Sequence, residues 1–189
     1  RMIIGDMLEA LVIVLLKAAK IEVKSQHQKV SLGVGDRQIE GEYDIELDDG
    51  IYDIKSVSPF SFTTKFNADN GYDKIKQSDS FGYISQGHGY GMAANKPFKG
   101  WIAINKTTGE IVFTDSKHTD EEKKEVYSKI YNTSVALLDE KPFERCFTDV
   151  EEVYYSKPTG NRTLGIECSY CPYKHDCWDN LEFRRQLPS

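Results

Sequence analysis

No stretch of this sequence is both long and apolar enough to cross a bilayer. The most apolar run, Leu8 to Leu16, is short and carries Glu9. The start, which begins at Arg1, shows no secretory signal peptide, so no membrane partner is expected. Cysteine is scarce. Of the four present, Cys168, Cys171 and Cys177 fall within ten residues, and Cys146 precedes them. That crowding is not the spacing of a disulfide framework. It points to metal ligation in a reducing compartment, so a cytoplasmic protein is expected. Basic charge is also in short supply, with a net charge of −6. This counts against a protein that coats nucleic acid with its whole surface. It leaves room for an enzyme that gathers carboxylates at a site and keeps its lysines for one groove, with Lys65, Lys74, Lys76 and Lys106 as candidates. There is no internal repeat and no low-complexity segment.

At 189 residues the chain fits one domain, 1–189, with a cysteine-bearing region at about 146–178. Met2 to Lys20 is apolar on nearly all sides, which predicts a buried helix. Glu9 on it either joins a solvent edge with Asp6 and Lys17 or faces a metal. Short strands are expected at Ile21–Val23 and Lys29–Val34. Gln38 to Leu47 alternates, with Ile39, Gly41, Tyr43, Ile45 and Leu47 on one face. Glu40, Glu42, Asp44 and Glu46 fall on the other. Asp48-Asp49-Gly50 is a hairpin turn, and Ile51 to Val57 is the return strand.

Ser58 to Tyr72 looks like a loop whose phenylalanines, Phe60, Phe62 and Phe66, anchor it to the core. Asp73 to about Ala94 predicts one helix despite four glycines, with Tyr83, Gln86 and Tyr90 in one stripe. A second hairpin surrounds Lys106 to Gly109. Thr119 to Glu122 matches a capping box that opens a helix to about Asp139, ending before Pro142. Its charged first turns suggest a solvated face, and Lys141 to Leu164 looks irregular.

On the return strand, Asp53 and Lys55 lie two apart and share a face, one hairpin turn from Asp44. An isolated Asp-x-Lys is most simply a surface ion pair. Three cysteines spaced Cys-x2-Cys-x5-Cys suit zinc and iron–sulfur clusters alike.

The order of these pieces carries more than any one of them. Gly5-x3-Glu9 is followed by Gly41-x2-Asp44, Asp53-Ile54-Lys55, Gln86-x3-Tyr90 and the cysteine knuckle. This series resembles the RecB-like branch of the PD-(D/E)XK nucleases, especially the iron–sulfur members among CRISPR-associated and phage exonucleases. The resemblance runs from Gly5 to Trp178. It implies an α/β fold with a restriction-endonuclease-like core, a mixed central sheet flanked by helices, and a metal-stapled C-terminal region. It implies an exonuclease acting on DNA, single-stranded or at duplex ends, in recombination, repair or phage DNA processing. A homo-oligomer or a repair protein is the further partner it allows.

Hydrolysis of a phosphodiester needs a hard cation, an activated water and charge stabilisation. Asp44 and Asp53 would hold Mg²⁺ or Mn²⁺, joined by the Ile54 carbonyl and by Glu9, a position where RecB-like enzymes often carry His. Lys55 would serve the water or the phosphate. Gln86 and Tyr90 would sit beside the site, contacting phosphate or positioning Lys55. The cysteines would hold a 4Fe–4S cluster, with zinc the alternative. The fourth ligand is Cys146, His175 or a residue upstream of Arg1. Two rivals stand beside this reading: an inactive DNA-holding module of the same fold, and a zinc-binding interaction protein with an acidic surface hairpin.

Overall fold

Successive apolar residues at Ile51-Tyr52 and from Trp101 to Ile104 demand strands covered on both faces, and the fold is built around them. A computed structural model describes residues 3–117, 119–138, 145–178 and 184–185, with 137–138 and 184–185 described by backbone alone. The chain divides into two compact units, Arg1–Asp139 and Glu140–Ser189.

The first unit runs α1 (Ile3–Ala18), β1 (Ser25–Val34), β2 (Arg37–Leu47), β3 (Gly50–Val57), α2 (Pro59–Ser61) and a π-helical turn (Phe62–Phe66). It continues with α3 (Gly71–Gln77), α4 (Tyr83–Ala94), β4 (Phe98–Asn105), β5 (Ile111–Asp115) and α5 (Asp120–Leu138). The strands form one five-stranded mixed sheet, ordered β1-β2-β3-β4-β5, in which only the β3–β4 pair is parallel. Each central strand feeds two cores. Tyr52 and Ile54 of β3, with Ile102 and Ile104 of β4, pack against Val12, Ile13 and Leu16 of α1. Ile51 and Val57, with Trp101 and Ala103, pack on the other face against Phe62, Phe66, Tyr72, Ile75 and Ile84. The result is an α/β sheet flanked by helices, as expected.

Four expectations for this unit are corrected. α1 is buried along one stripe only; Ile4, Met7, Leu11, Val14 and Leu15 are exposed, because a helix lying on a sheet covers just the stripe that faces it. Ile21–Val23 is not a strand, and β1 begins at Ser25 instead. The helix expected over Asp73–Ala94 is two helices. Gly82 adopts φ +72°, and the Asp79 carboxylate accepts hydrogen bonds from Tyr83 N (2.6 Å) and Ile84 N (3.0 Å), so α4 starts afresh there. The Ser58–Tyr72 segment is not loop throughout; it holds α2 and the π-helical turn. Phe62 and Phe66 are buried anchors while Phe60 is exposed.

At the start of α5, Glu122 N donates to Thr119 Oγ1 at 3.2 Å, the expected cap. The Glu122 side chain turns inward, however, and accepts from Tyr72 Oη at 2.6 Å and Lys76 Nζ at 2.8 Å. That first turn is therefore not simply a solvated face.

The second unit contains β6 (Asp149–Tyr154), β7 (Lys157–Leu164), α6 (Ile166–Ser169), α7 (Lys174–Cys177) and β8 (Arg184–Arg185). Its three strands are ordered β6-β7-β8. The β6–β7 hairpin replaces the irregular run expected up to Leu164. Tyr155 and Ser156 make its two-residue turn with positive φ of 48° and 62°. Pro142 and the end of the helix before it lie outside the described residues. Leu164, Cys168 and Trp178 are the buried core of this unit among the described residues.

Candidate active site

β3 carries Asp53 and Lys55 on the face that looks toward α4, in step with Ile51 and Val57. Asp53 is 2% exposed. Its Oδ2 accepts no well-aligned hydrogen bond, but Lys55 Nζ lies 2.7 Å away as an ion pair. Lys55 Nζ also donates to Gln86 Oε1 at 3.1 Å and stands 5.1 Å from the centre of the Tyr83 ring. Gln86 Nε2 donates onward to Tyr90 Oη at 3.0 Å. The carboxylate, ammonium, amide and phenol thus form one row. The Tyr90 ring lies against the backbone of Gly41, where a Cβ would stand 2.7 Å from Cε1. The missing side chain at Gly41 lets α4 bring Tyr90 down onto β2.

Asp44 closes the row on the β2 side. Its Oδ2 accepts a 2.6 Å hydrogen bond from Ile54 N, so the aspartate is fixed to the backbone between Asp53 and Lys55. Glu9 of α1 lies close enough for its charge to act on Asp53, and His27 Nδ1 stands 3.4 Å from its Oε1. The same His27 Nδ1 is 3.5 Å from Glu42 Oε1.

Burial, together with the charges of Asp44 and Glu9, pushes the Asp53 carboxyl up to about 7 against the pull of Lys55. Burial alone would lower Lys55, but Asp53 beside it outweighs that and holds the ammonium above its ordinary range. Burial also raises the Tyr90 phenol, so the hydroxyl keeps its proton.

The sequence pattern assigns the face of β2 wrongly at one end. Tyr43 packs in the core on the α4 side, whereas Ile45 and Leu47 pack in the α1 side, although the three alternate. The strand turns over at Asp44. Glu46 is consequently not Asp44's neighbour; it accepts from Tyr43 Oη at 3.2 Å, Ser25 Oγ at 3.0 Å and Lys96 Nζ at 2.7 Å. The Lys96 hydrogen bond is the main reason its carboxyl lies below the usual range. Opposite Asp44, His27 has φ +52°. The ladder pairs Gln26 with Ile45 and Gln28 with Tyr43, leaving the His27–Asp44 pair unformed.

Sequence reasoning missed His27 altogether. A histidine inside the polar run Ser25-Gln-His-Gln-Lys shows no periodicity that would mark it. Two lysines considered for a basic groove are engaged elsewhere. Lys65 Nζ donates to Ser78 O at 2.9 Å, and Lys76 is held by Glu122 and Glu125. Lys74 and Lys106 are exposed.

Among the described residues, no group of three or more His, Cys, Asp or Glu side chains is arranged as a metal site. The donor chemistry at this place is carboxylate oxygen, the type a hard cation takes: Asp53 Oδ2 is buried without an aligned hydrogen bond, 2.7 Å from Lys55 Nζ, and the charge of Asp44 acts on it.

In the second unit none of the four cysteines is in a disulfide. Cys171 N donates to Cys168 O at 3.2 Å, closing the Cys-x2-Cys turn, and Cys177 packs with buried Cys168 and Trp178. The Arg145 guanidinium carbon stands 4.2 Å from the centre of the Trp178 ring, and Cys146 beside Arg145 in sequence is exposed. His175 is exposed on α7. The donors suit a thiolate-bound metal or cluster.

No helix among the described residues is long and apolar enough to cross a membrane. No family model matches the chain, and no curated protein matches it. A crystal structure of the protein SSO0001 is similar over 92% of this chain and 68% of that one, with 15% identity and a TM-score of 0.47. At that degree of likeness neither fold nor function carries across.

Proposed function

We propose that Arg1–Asp139 is a restriction-endonuclease-like core that hydrolyses phosphodiester bonds in DNA with Mg²⁺ or Mn²⁺, acting as an exonuclease on single strands or duplex ends. The observation that carries this reading is the row Asp53–Lys55–Gln86–Tyr90, in which a lysine is fixed 2.7 Å from a buried aspartate by partners on a separate helix. A surface ion pair needs no such support. Asp44 is hydrogen-bonded to the backbone of Ile54, between Asp53 and Lys55, and the charges of Asp44 and Glu9 both act on Asp53.

Asp53 and Asp44 would hold the cation, with Glu9 and the Ile54 carbonyl completing its ligands. When bound, the cation polarises the phosphoryl oxygen and lowers the pKa of water. Lys55, kept protonated by Asp53, acts as a donor: it orients the attacking water or meets the charge that develops on the phosphate. Gln86 fixes that ammonium through its carbonyl. Because Tyr90 Oη accepts from Gln86, its own O–H is left to donate to a phosphate oxygen. In Glu140–Ser189 the cysteines would hold an iron–sulfur cluster, zinc being the alternative. Its role is to staple that unit.

The test is degradation of end-labelled single-stranded DNA with Mg²⁺ or Mn²⁺. Wild type should shorten the strand, and Lys55→Ala and Asp53→Asn should each slow this by about a hundredfold or more. Equal, negligible activity in wild type and Lys55→Ala would sink the enzyme reading, and equal, substantial activity would remove Lys55 from the site.

A further inference from the structure

α1 carries more apolar side chains than the sheet can take. Val12, Ile13 and Leu16 are buried against β3 and β4, and Leu8 packs partly with them. The opposite face presents Ile3, Ile4, Met7, Leu11, Val14 and Leu15, all between 44% and 77% exposed. Single apolar residues on a surface need no explanation. Six on one face of one helix form a contiguous patch, at or above the ~300–600 Å² that is the largest on a typical monomer.

The spacing says what covers it. Ile4, Met7, Leu11 and Val14 follow one another at intervals of three, four and three residues, the seam period of paired helices. The occupant is therefore a helix. The seam also reads the same from either end. Turned end for end, α1 presents Val14 where Ile4 stood and Leu11 where Met7 stood. A second copy laid antiparallel meets the first with Ile4 against the partner's Val14 and Met7 against the partner's Leu11, twice about one two-fold axis.

Charge selects the same direction. Asp6 lies in the first turn of α1 and Lys17 in the last. They are eleven residues, and so close to three turns, apart, which puts both on one flank of the seam. A parallel pair would set like charge beside like charge and align the two helix dipoles. An antiparallel pair brings each Asp6 end to the partner's Lys17 end and opposes the dipoles. Two such patches together reach about the 1,200 Å² at which stable interfaces begin. Glu9 falls with Val12 and Leu16 on the sheet-facing side, three and seven residues before them, so the seam shares no side chain with the Asp53–Lys55 row.

We propose that the exposed face of α1 is the interface of a two-fold homodimer, in which α1 of each copy packs antiparallel on α1 of the other with Met7 against the partner's Leu11. This goes beyond the nuclease reading and does not depend on it.

The experiment is analytical ultracentrifugation of the full chain over a range of concentrations, with circular dichroism and thermal unfolding as the control. Wild type should pass from monomer to dimer at about micromolar concentration, since the interface is small. Met7→Lys and Leu11→Glu each place a charge against an apolar side chain twice per dimer. Each should weaken association by about tenfold or more and leave the Tm of the monomer unchanged, because both positions are exposed. Mixed in equal amounts, the two variants should associate again. The antiparallel pair sets the new ammonium against the new carboxylate at one contact and keeps Met7 on Leu11 at the other. A parallel pair would bring neither together.

A wild type that stays monomeric throughout would overturn the proposal, and so would a dimer that survives both substitutions. A mixture that associates no better than either variant alone would overturn it by removing the antiparallel pairing. The nuclease reading is untouched by all three results, since it is judged by DNA degradation.

Discussion

Asp53 is a carboxyl whose surroundings oppose its charge, and that makes its cost depend on pH. Burial, then the charges of Asp44 and Glu9, lift its pKa to about 7, and Lys55 offsets this only in part. The unfolded chain holds the same group near the ordinary carboxylate value of about 4. Because the folded value is the higher one, folding takes up a proton between these two limits. The stability owed to neutral Asp53 is fully present below the unfolded pKa and is lost as pH rises through the folded one. Asp53→Asn lacks this dependence. Urea unfolding of both proteins from pH 4 to 8 should therefore show the asparagine variant gaining on wild type as pH rises toward 7. Parallel curves would mean that Asp53 is not buried as a strained charge.

At the level of elements, α4 shows which of two opposed glycine effects wins. On propensity alone, replacing a helix-interior glycine by alanine gains about 1 kcal/mol. At Gly87, however, a Cβ would stand 2.2 Å from Phe98 Cε1, and Phe98 is a buried member of the core. Overpacking of this kind costs about 1–3 kcal/mol. Gly87→Ala should therefore be destabilised by about that amount less the propensity gain. Phe98→Leu in the same chain should recover part of it, as read from urea midpoints. An unchanged midpoint in Gly87→Ala would refute the close approach of α4 to β4. The glycines were readable as signs of close packing, although their partners were not. The β2–β3 hairpin was equally legible: Asp48-Asp49-Gly50 forces a turn, and the run before it alternates. What the sequence could not show is where alternation fails. Period two assumes an unbroken ladder, and His27 breaks it, carrying Tyr43 and Glu46 to faces that counting puts elsewhere. Nor could it show the Tyr155-Ser156 turn, because two residues with positive φ ordinarily announce themselves as Asn-Gly. The site was legible to the extent that its residues act through fixed spacing, as Asp53 and Lys55 do. It was illegible where a side chain arrives across the sheet.

For the molecule as a whole, the two units differ in the apolar cores that their described residues form. Arg1–Asp139 has two apolar cores on either face of a five-stranded sheet. Glu140–Ser189 has Leu164, Cys168 and Trp178 as the buried core of its described residues. Units of this size ordinarily need a staple, because hydrophobic burial in a small core does not match the conformational entropy of ordering the chain. The cysteines would supply the donors for one, and Cys171 N donates to Cys168 O across the Cys-x2-Cys turn. If a cluster is that staple, its loss should be local. Protein purified without oxygen should be brown and contain iron and sulfide. Cys168→Ser should be colourless. In hydrogen exchange, amides of Asp149–Tyr154 and Lys157–Leu164 should lose protection in that variant, while those of Gly50–Val57 and Phe98–Asn105 keep theirs. A colourless wild type with stoichiometric zinc would move the assignment to zinc and preserve the staple. A metal-free wild type whose β6–β7 hairpin is fully protected would remove it, because the hairpin would then stand on its own small core.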